Sequence, residues 1–227
     1  MPGTVETPYS WVVAVTALGI LAVSFGAPTI TVVALKPIAA DLGGVRSAPA
    51  LCYALAWLGS AAGGIAMGQI AERLGVRWTV MCGALMVAAG LLLSSLGKPI
   101  DLYLGHGLFM GLLGNSGINA PLYVYVSRWF DRRRGSALGL IASGQALAGM
   151  VWAPVFGYAV EWIGWQHTMQ LYAVFAAAVI APAAFLVFRE LPRAATAGPK
   201  WREPRAGELV LGLRPRWRRE CSRTQVR

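Results

Sequence analysis

Between Trp11 and Phe188 the chain holds six apolar runs that contain no Lys, Arg, Asp or Glu. They are Trp11–Leu35, Ala50–Ile70, Trp78–Leu96, Leu102–Val126, Ser136–Val160 and Met169–Phe188. Each is close to or above the roughly 20 residues that a helix needs to cross the ~30 Å hydrocarbon core of a bilayer. Lipid offers no water to backbone N–H and C=O groups, so such runs must close their hydrogen bonds internally, as helices. Soluble domains are about one quarter charged, whereas this chain is 13% charged and 56% hydrophobic. The reading is an all-α, polytopic membrane protein with six transmembrane helices in residues 1–192 and the lipid bilayer as its first partner. The first run is not read as a cleavable signal: Met1–Ser10 carries a single charge, Glu6, and the apolar stretch is too long.

Basic residues give the orientation. The loops after the second and fourth runs carry Arg73 and Arg77, then Arg128, Arg132, Arg133 and Arg134. The alternate loops carry Lys36 and Arg46, then Lys98. Six against three places the even-numbered loops and both termini in the cytoplasm, at the cell (inner) membrane. Arg132, Arg133 and Arg134 are read mainly as topology signals. The net charge of +10 does not point to nucleic acid, because residues 193–227 alone hold ten Lys/Arg against three Glu.

A short motif occurs twice. Gly68-x-x-x-Glu72-x-x-Gly75 follows the second run, and Gly157-x-x-x-Glu161-x-x-Gly164 follows the fifth. These are corresponding joints if the six helices form two sets of three. Three is an odd number, so the second set is inverted relative to the first, the arrangement of many secondary transporters. Small residues four apart suggest close helix packing. In the fifth run, Gly135, Gly139 and Ser143 on one face, and Gly149, Ala153 and Gly157 on another, predict two grooves. Pro154 is expected to bend this helix, as Pro28 and Pro121 bend the first and fourth.

GQIAERLGVRW, residues 68–78, resembles the loop signature of the major facilitator superfamily, G-x-L-A-D-R-x-G-R-R. Gly68, Ala71, Arg73, Gly75 and Arg77 match; Glu72 replaces Asp, Ile70 replaces Leu, and Val76 replaces an Arg. RWFDRRRGSALGLIASGQALAGMVWAPVFGYAVEWIGW is similar to the monocarboxylate and oxalate/formate transporter-like branch. There Trp129, Phe130, Arg133 or Arg134, Gly135, Ala137, Gly139, Ser143, Gly144, Pro154, Gly164 and Trp165 match, while Gln166 departs from the usual Arg. The resemblance covers about residues 9–190. It implies twelve helices in two halves, substrate near mid-membrane between them, and alternating access by rocking. It also implies that Glu72 acts as a latch with Arg73, Arg77 and Arg134, facing a helix end of the other half. Gly75 serves as the tight turn.

Transport of small organic anions such as monocarboxylates, with a proton or another coupling ion, is what the resemblance implies. Polar side chains inside a membrane tend to face the bundle interior or a wet cavity. Thr29, Asn115, Asn119, Tyr123 and Gln145 are therefore the candidate substrate-lining residues; His106, near a helix end, is a weaker one. No Lys or Arg lies inside the runs, so an anion-binding charge is expected from the second half. On this reading the chain is the first half of a transporter and needs a second half or a homodimer. The alternative is a truncated, transport-inactive membrane remnant or interaction protein. No nucleophile triad or metal-ligand cluster appears, so no enzyme, metal site or cofactor is expected. Residues 193–227 mix Pro, Gly, Arg and Trp without period and are read as a disordered cytoplasmic tail. Three origins stay open for it: a lipid-attracted arm, an interdomain loop, or a reading-frame break, which is slightly preferred.

Overall fold

The computed structural model describes residues 8–44, 47–130 and 133–188. Arg132 and the basic segment 193–227 lie outside them. The apolar runs form α1 (Pro8–Val33), α3 (Ser47–Leu74) and α4 (Val76–Ser94), with the short α2 (Leu35–Asp41) between the first two. The fourth run is continuous but not uniform: α5 (Pro99–Leu104), a π-helical segment (Gly105–Asn115) and α6 (Ser116–Trp129). The fifth and sixth runs follow one another in α7 (Arg134–Val187).

A straight 54-residue helix would be about 80 Å long, far more than a bilayer's ~30 Å core. Gly164 resolves this. Its φ of 81° and ψ of 160° interrupt the helix, and the chain doubles back there. Trp152 before the break and Tyr172 after it meet ring to ring at 4.9 Å. Both also reach α1: Trp152 Nε1 donates to the Ala22 carbonyl at 3.0 Å, and the Tyr172 hydroxyl donates to the Val23 carbonyl at 2.7 Å. The helix runs through Pro154 with helical backbone dihedrals, and the break falls at Gly164, the last residue of the second copy of the repeated motif.

The other end of the echoed motif behaves alike. Gly75 joins α3 to α4 with φ 89° and ψ 146°. This backbone region is open almost only to glycine. Four residues on, Thr79 Oγ1 donates to the Gly75 carbonyl at 3.0 Å, and Thr168 Oγ1 donates to the Gly164 carbonyl at 2.7 Å. The motif therefore extends to a threonine, and both copies adopt the same turn.

The fourth run wedges between α3 and α4. A side chain at Gly111 would strike the Ala56 backbone, and one at Gly90 would strike the Gly105 carbonyl. A π-helix is wider than an α-helix, and glycine lets its neighbours close on it. Such contacts matter because burying apolar surface does not drive helices together in lipid; packing does. α1 is the most enclosed long helix and α3 the least, with 61% and 17% of their most apolar stretches buried. Leu58, Ile65, Met150 and Leu186 point outward, as expected where the surrounding solvent is apolar.

The two grooves expected on the fifth run are not used within this fold. Gly139, Gly149 and Gly157 have nothing within 4 Å of where a side chain would begin. The buried stripe is Ala137, Ile141, Gly144 and Ala148, and Gly144 abuts Leu18 and Leu21 of α1. At about 100° per residue, Gly139 and Gly157 fall on the opposite side of the helix. Spacing by four finds a face but does not say which face meets a neighbour.

Candidate functional site

Midway along the bundle, α1, α3 and the π segment meet. Ser24 Oγ donates to Asn115 Oδ1 at 2.8 Å, with both residues buried. Beside them Phe25 stacks on Trp57 of α3, with centroids 5.7 Å apart and planes 20° apart. Tyr53 meets the same indole edge-on at 6.1 Å. Asn115 is thus an interhelical tie that carries one wall of the central region.

The other candidates differ. Thr29 bonds the Phe25 carbonyl of its own helix at 2.9 Å, which satisfies it locally. Asn119, one turn beyond Asn115, is half-buried, and its Oδ1 is closed off without a hydrogen-bond partner among the described residues. A closed-off acceptor without a donor is uncommon in a folded protein. Tyr123, a turn further, is also half-buried. Gln145 is exposed on α7 and does not join this group.

His106 is fully buried. Its Nε2 lies 2.5 Å from Thr31 Oγ1 of α1, and its Nδ1 lies 2.9 Å from Ser94 Oγ of α4 and 3.1 Å from the Leu102 carbonyl. Ser94 gives its own proton to the Gly90 carbonyl at 2.8 Å. Nδ1 therefore carries the hydrogen and Nε2 accepts from Thr31. A neutral imidazole with both nitrogens satisfied ties three helices together, which is a structural role and not an anion site. Sequence reasoning missed Ser24 and Ser94, and read Trp57 only as an interfacial aromatic. The available signal was a hydroxyl inside an apolar run, Ser24 in the first and Ser94 beside Ser95 in the third.

At the Gly75 end, Glu72 pairs with Arg128 of α6 at 3.4 Å, with 65% and 33% side-chain exposure. The partners implied for it were Arg73, Arg77 and Arg134. Arg73 sits about 100° round the helix from Glu72. Arg77 turns away, its guanidinium 3.4 Å from the centre of the Phe185 ring. Arg134 is exposed at the start of α7. Arg128 succeeds because α3 and α6 pack together and bring their charged ends to the same level. At this exposure the pair contributes at most about 1 kcal/mol. Arg133 is exposed, and Gly68 has open space around it. At the opposite end Trp165 Nε1 donates to Asp41 Oδ2 at 2.7 Å, and Gln170 Nε2 donates to Ser95 Oγ at 3.2 Å. These bonds fasten α2 and the end of α4 to the second arm of α7.

The family model of the Major Facilitator Superfamily matches residues 11–224. The chain belongs to the major facilitator superfamily. It is a multi-pass membrane protein, and its helical bundle is a major facilitator domain. The match runs past residue 192 into the basic segment. Among relatives, monocarboxylate transporter 11 of Homo sapiens is 29% identical over 212 residues, 93% of this chain and 44% of that protein. Monocarboxylate transporter 13 of Bos taurus is 31% identical over 118 residues, 52% of this chain and 28% of the relative. The MFS-type transporter pynF of Aspergillus niger is 29% identical over 145 residues, 61% and 33%. The chain spans less than half the length of these curated relatives.

Proposed function

We propose that this major facilitator domain serves secondary active transport of small organic anions, with monocarboxylates as the leading class. The proposal takes its substrate from the names of relatives called monocarboxylate transporters. Its transport architecture rests on one observation above all: the matched turns at Gly75 and Gly164, each with glycine-only backbone and a threonine bonded back four residues later. They support a six-helix unit made of two inverted three-helix repeats. Helix packing supports the same symmetry. α3 lies against the fourth run and the first arm of α7 lies against α1, while α4 meets the second arm of α7. Exchanging the first, second and third helices with the fourth, fifth and sixth leaves that set of contacts unchanged.

In this reading Gly75 and both termini lie on the cytoplasmic side, and Gly164 lies on the outer side. The substrate cavity is completed by a second six-helix body, from a longer protein or from a second copy, packed on the open face of α3 and on the Gly139 and Gly157 side of the first arm of α7, away from the second arm. Asn119 and Tyr123 contact substrate, Asn115 holds the wall behind them, and a proton or another ion supplies the coupling. Glu72 and Arg128 form the latch that faces the second body. The experiment is uptake of radiolabelled lactate by proteoliposomes holding the purified protein, under an inward proton gradient. The expected result is saturable uptake above empty vesicles that falls in Asn119→Leu. Uptake equal to empty vesicles would overturn transport by this protein.

A further inference from the structure

Near the Gly164 break, a cavity of about 170 Å³ opens between the two arms of α7. Its walls include Trp152, Phe156, Ala159, Thr168, Leu171 and Tyr172. A second cavity of about 450 Å³ adjoins it, sharing Ile163 and Leu171 and reaching His167 and Gln170.

The rear wall is held firmly. Trp152 stacks on Phe156 at 5.5 Å, and Phe156 meets Tyr172 edge-on at 4.8 Å. Both Trp152 and Tyr172 are anchored to carbonyls of α1. They fit only because position 26 is glycine: a side chain there would strike the Tyr172 hydroxyl and the Trp152 ring.

The side-chain donors of this wall are all committed. The indole and phenol bond α1, and the Thr168 hydroxyl bonds the Gly164 carbonyl. A polar ligand or a water would find no free side-chain donor in the inner cavity, whose lining is almost wholly apolar. Apolar cavities of ~150 Å³ stay dry and admit a benzene-sized group, so this one has room for a hydrocarbon segment. Around the mouth, Leu171 and Val174 are 63% and 65% exposed. In a multi-pass membrane protein such a side faces lipid. The outer cavity adds polar groups, His167 and Gln170, beside the turn where the helices leave the membrane.

We propose that this cleft is a binding site for one phospholipid, with an acyl-chain segment against Trp152, Phe156 and Tyr172 and the ester and headgroup region at His167 and Gln170. The site is independent of the transported substrate and rests only on the membrane placement of the domain.

Phosphatidylcholine brominated along its acyl chains is the probe, because bromine quenches nearby indoles. The protein is purified, delipidated in a non-phospholipid detergent and titrated. The difference between the wild type and Trp152→Phe isolates the Trp152 signal. The expected result is saturable quenching of Trp152, lost in Ala159→Leu and weakened in the milder Leu171→Phe, with helicity and elution volume checking the fold of each. Quenching that rises in proportion to lipid without saturating would overturn the site. So would saturation unchanged in both filled variants, or quenching abolished by self-association, which would show that a second copy covers the cleft. The wild-type titration decides the matter even where neither variant folds.

Discussion

Replacing Gly111 with alanine tests how this domain holds itself together. The new Cβ would lie 2.5 Å from the Ala56 carbonyl oxygen and 3.0 Å from the Ala56 Cα. Carbon-to-oxygen contacts between helices normally settle at about 3.3–3.6 Å, so α3 and the π segment must part by close to 1 Å. Both flanking atoms belong to backbone, so no side chain can swing away. Overpacking of this kind costs about 1–3 kcal/mol. Alanine also gains up to about 1 kcal/mol over glycine in helix propensity, which masks part of the clash. Gly139→Ala is the control, since nothing lies within 4 Å of its would-be side chain. The propensity gain is common to both variants, so their difference isolates the clash. That difference, about 1–3 kcal/mol, is roughly 5- to 150-fold in the unfolding constant. Unfolding by dodecyl sulfate in mixed micelles, followed by tryptophan fluorescence, measures it. Equal stability of the two variants, or Gly139→Ala as the weaker, would refute the assignment of packed and open faces.

Gly75→Ala and Gly164→Ala should each lose about 1–3 kcal/mol, because alanine is forced into backbone conformations that only glycine tolerates; unequal losses in the same unfolding assay would count against equivalent turns. Glu72→Gln should change stability by less than about 1 kcal/mol in the isolated domain, given the exposure of the Arg128 pair, and a larger loss would mean that Glu72 has a further partner. His106→Leu should destabilise by about 1–3 kcal/mol, since the buried Thr31 and Ser94 hydroxyls lose a shared partner; an unchanged unfolding midpoint would contradict the three-helix tie. Trp165→Phe removes the bond to Asp41 and should raise hydrogen exchange in α2 without altering the Gly75 end, as exchange mass spectrometry would show.

Much of the fold was legible because lipid imposes a simple rule. Charge-free runs of about 20 residues have to be helices, and α1, α3 and α4 begin and end within about four residues of the runs read from sequence. The glycine echo was legible too, since Gly75 and Gly164 are adjacent to charged or aromatic loop residues in the same register. Register around each helix was not legible. Gly139 and Gly144 look alike in sequence, yet only Gly144 meets α1, because that choice depends on the neighbouring helix. Polar candidates fared similarly. Asn115 and His106 were visible as polar groups in apolar runs, but their roles as ties depend on Ser24, Thr31 and Ser94, which lie up to 91 residues away. Arg128 as the partner of Glu72 depends on α3 and α6 ending side by side, a fact of packing that loop composition does not contain.

The central claim is that the domain consists of two inverted three-helix repeats, with the Gly75 and Gly164 turns on opposite sides of the membrane. Cysteine accessibility tests it most directly. Cys52, Cys82 and Cys221 are removed, and single cysteines are placed by Arg73→Cys at one turn and by Trp162→Cys at the other. A membrane-impermeant maleimide is then applied to intact cells and to inverted vesicles. Trp162→Cys should label only in cells and Arg73→Cys only in inverted vesicles. Labelling of both from the same side would contradict it.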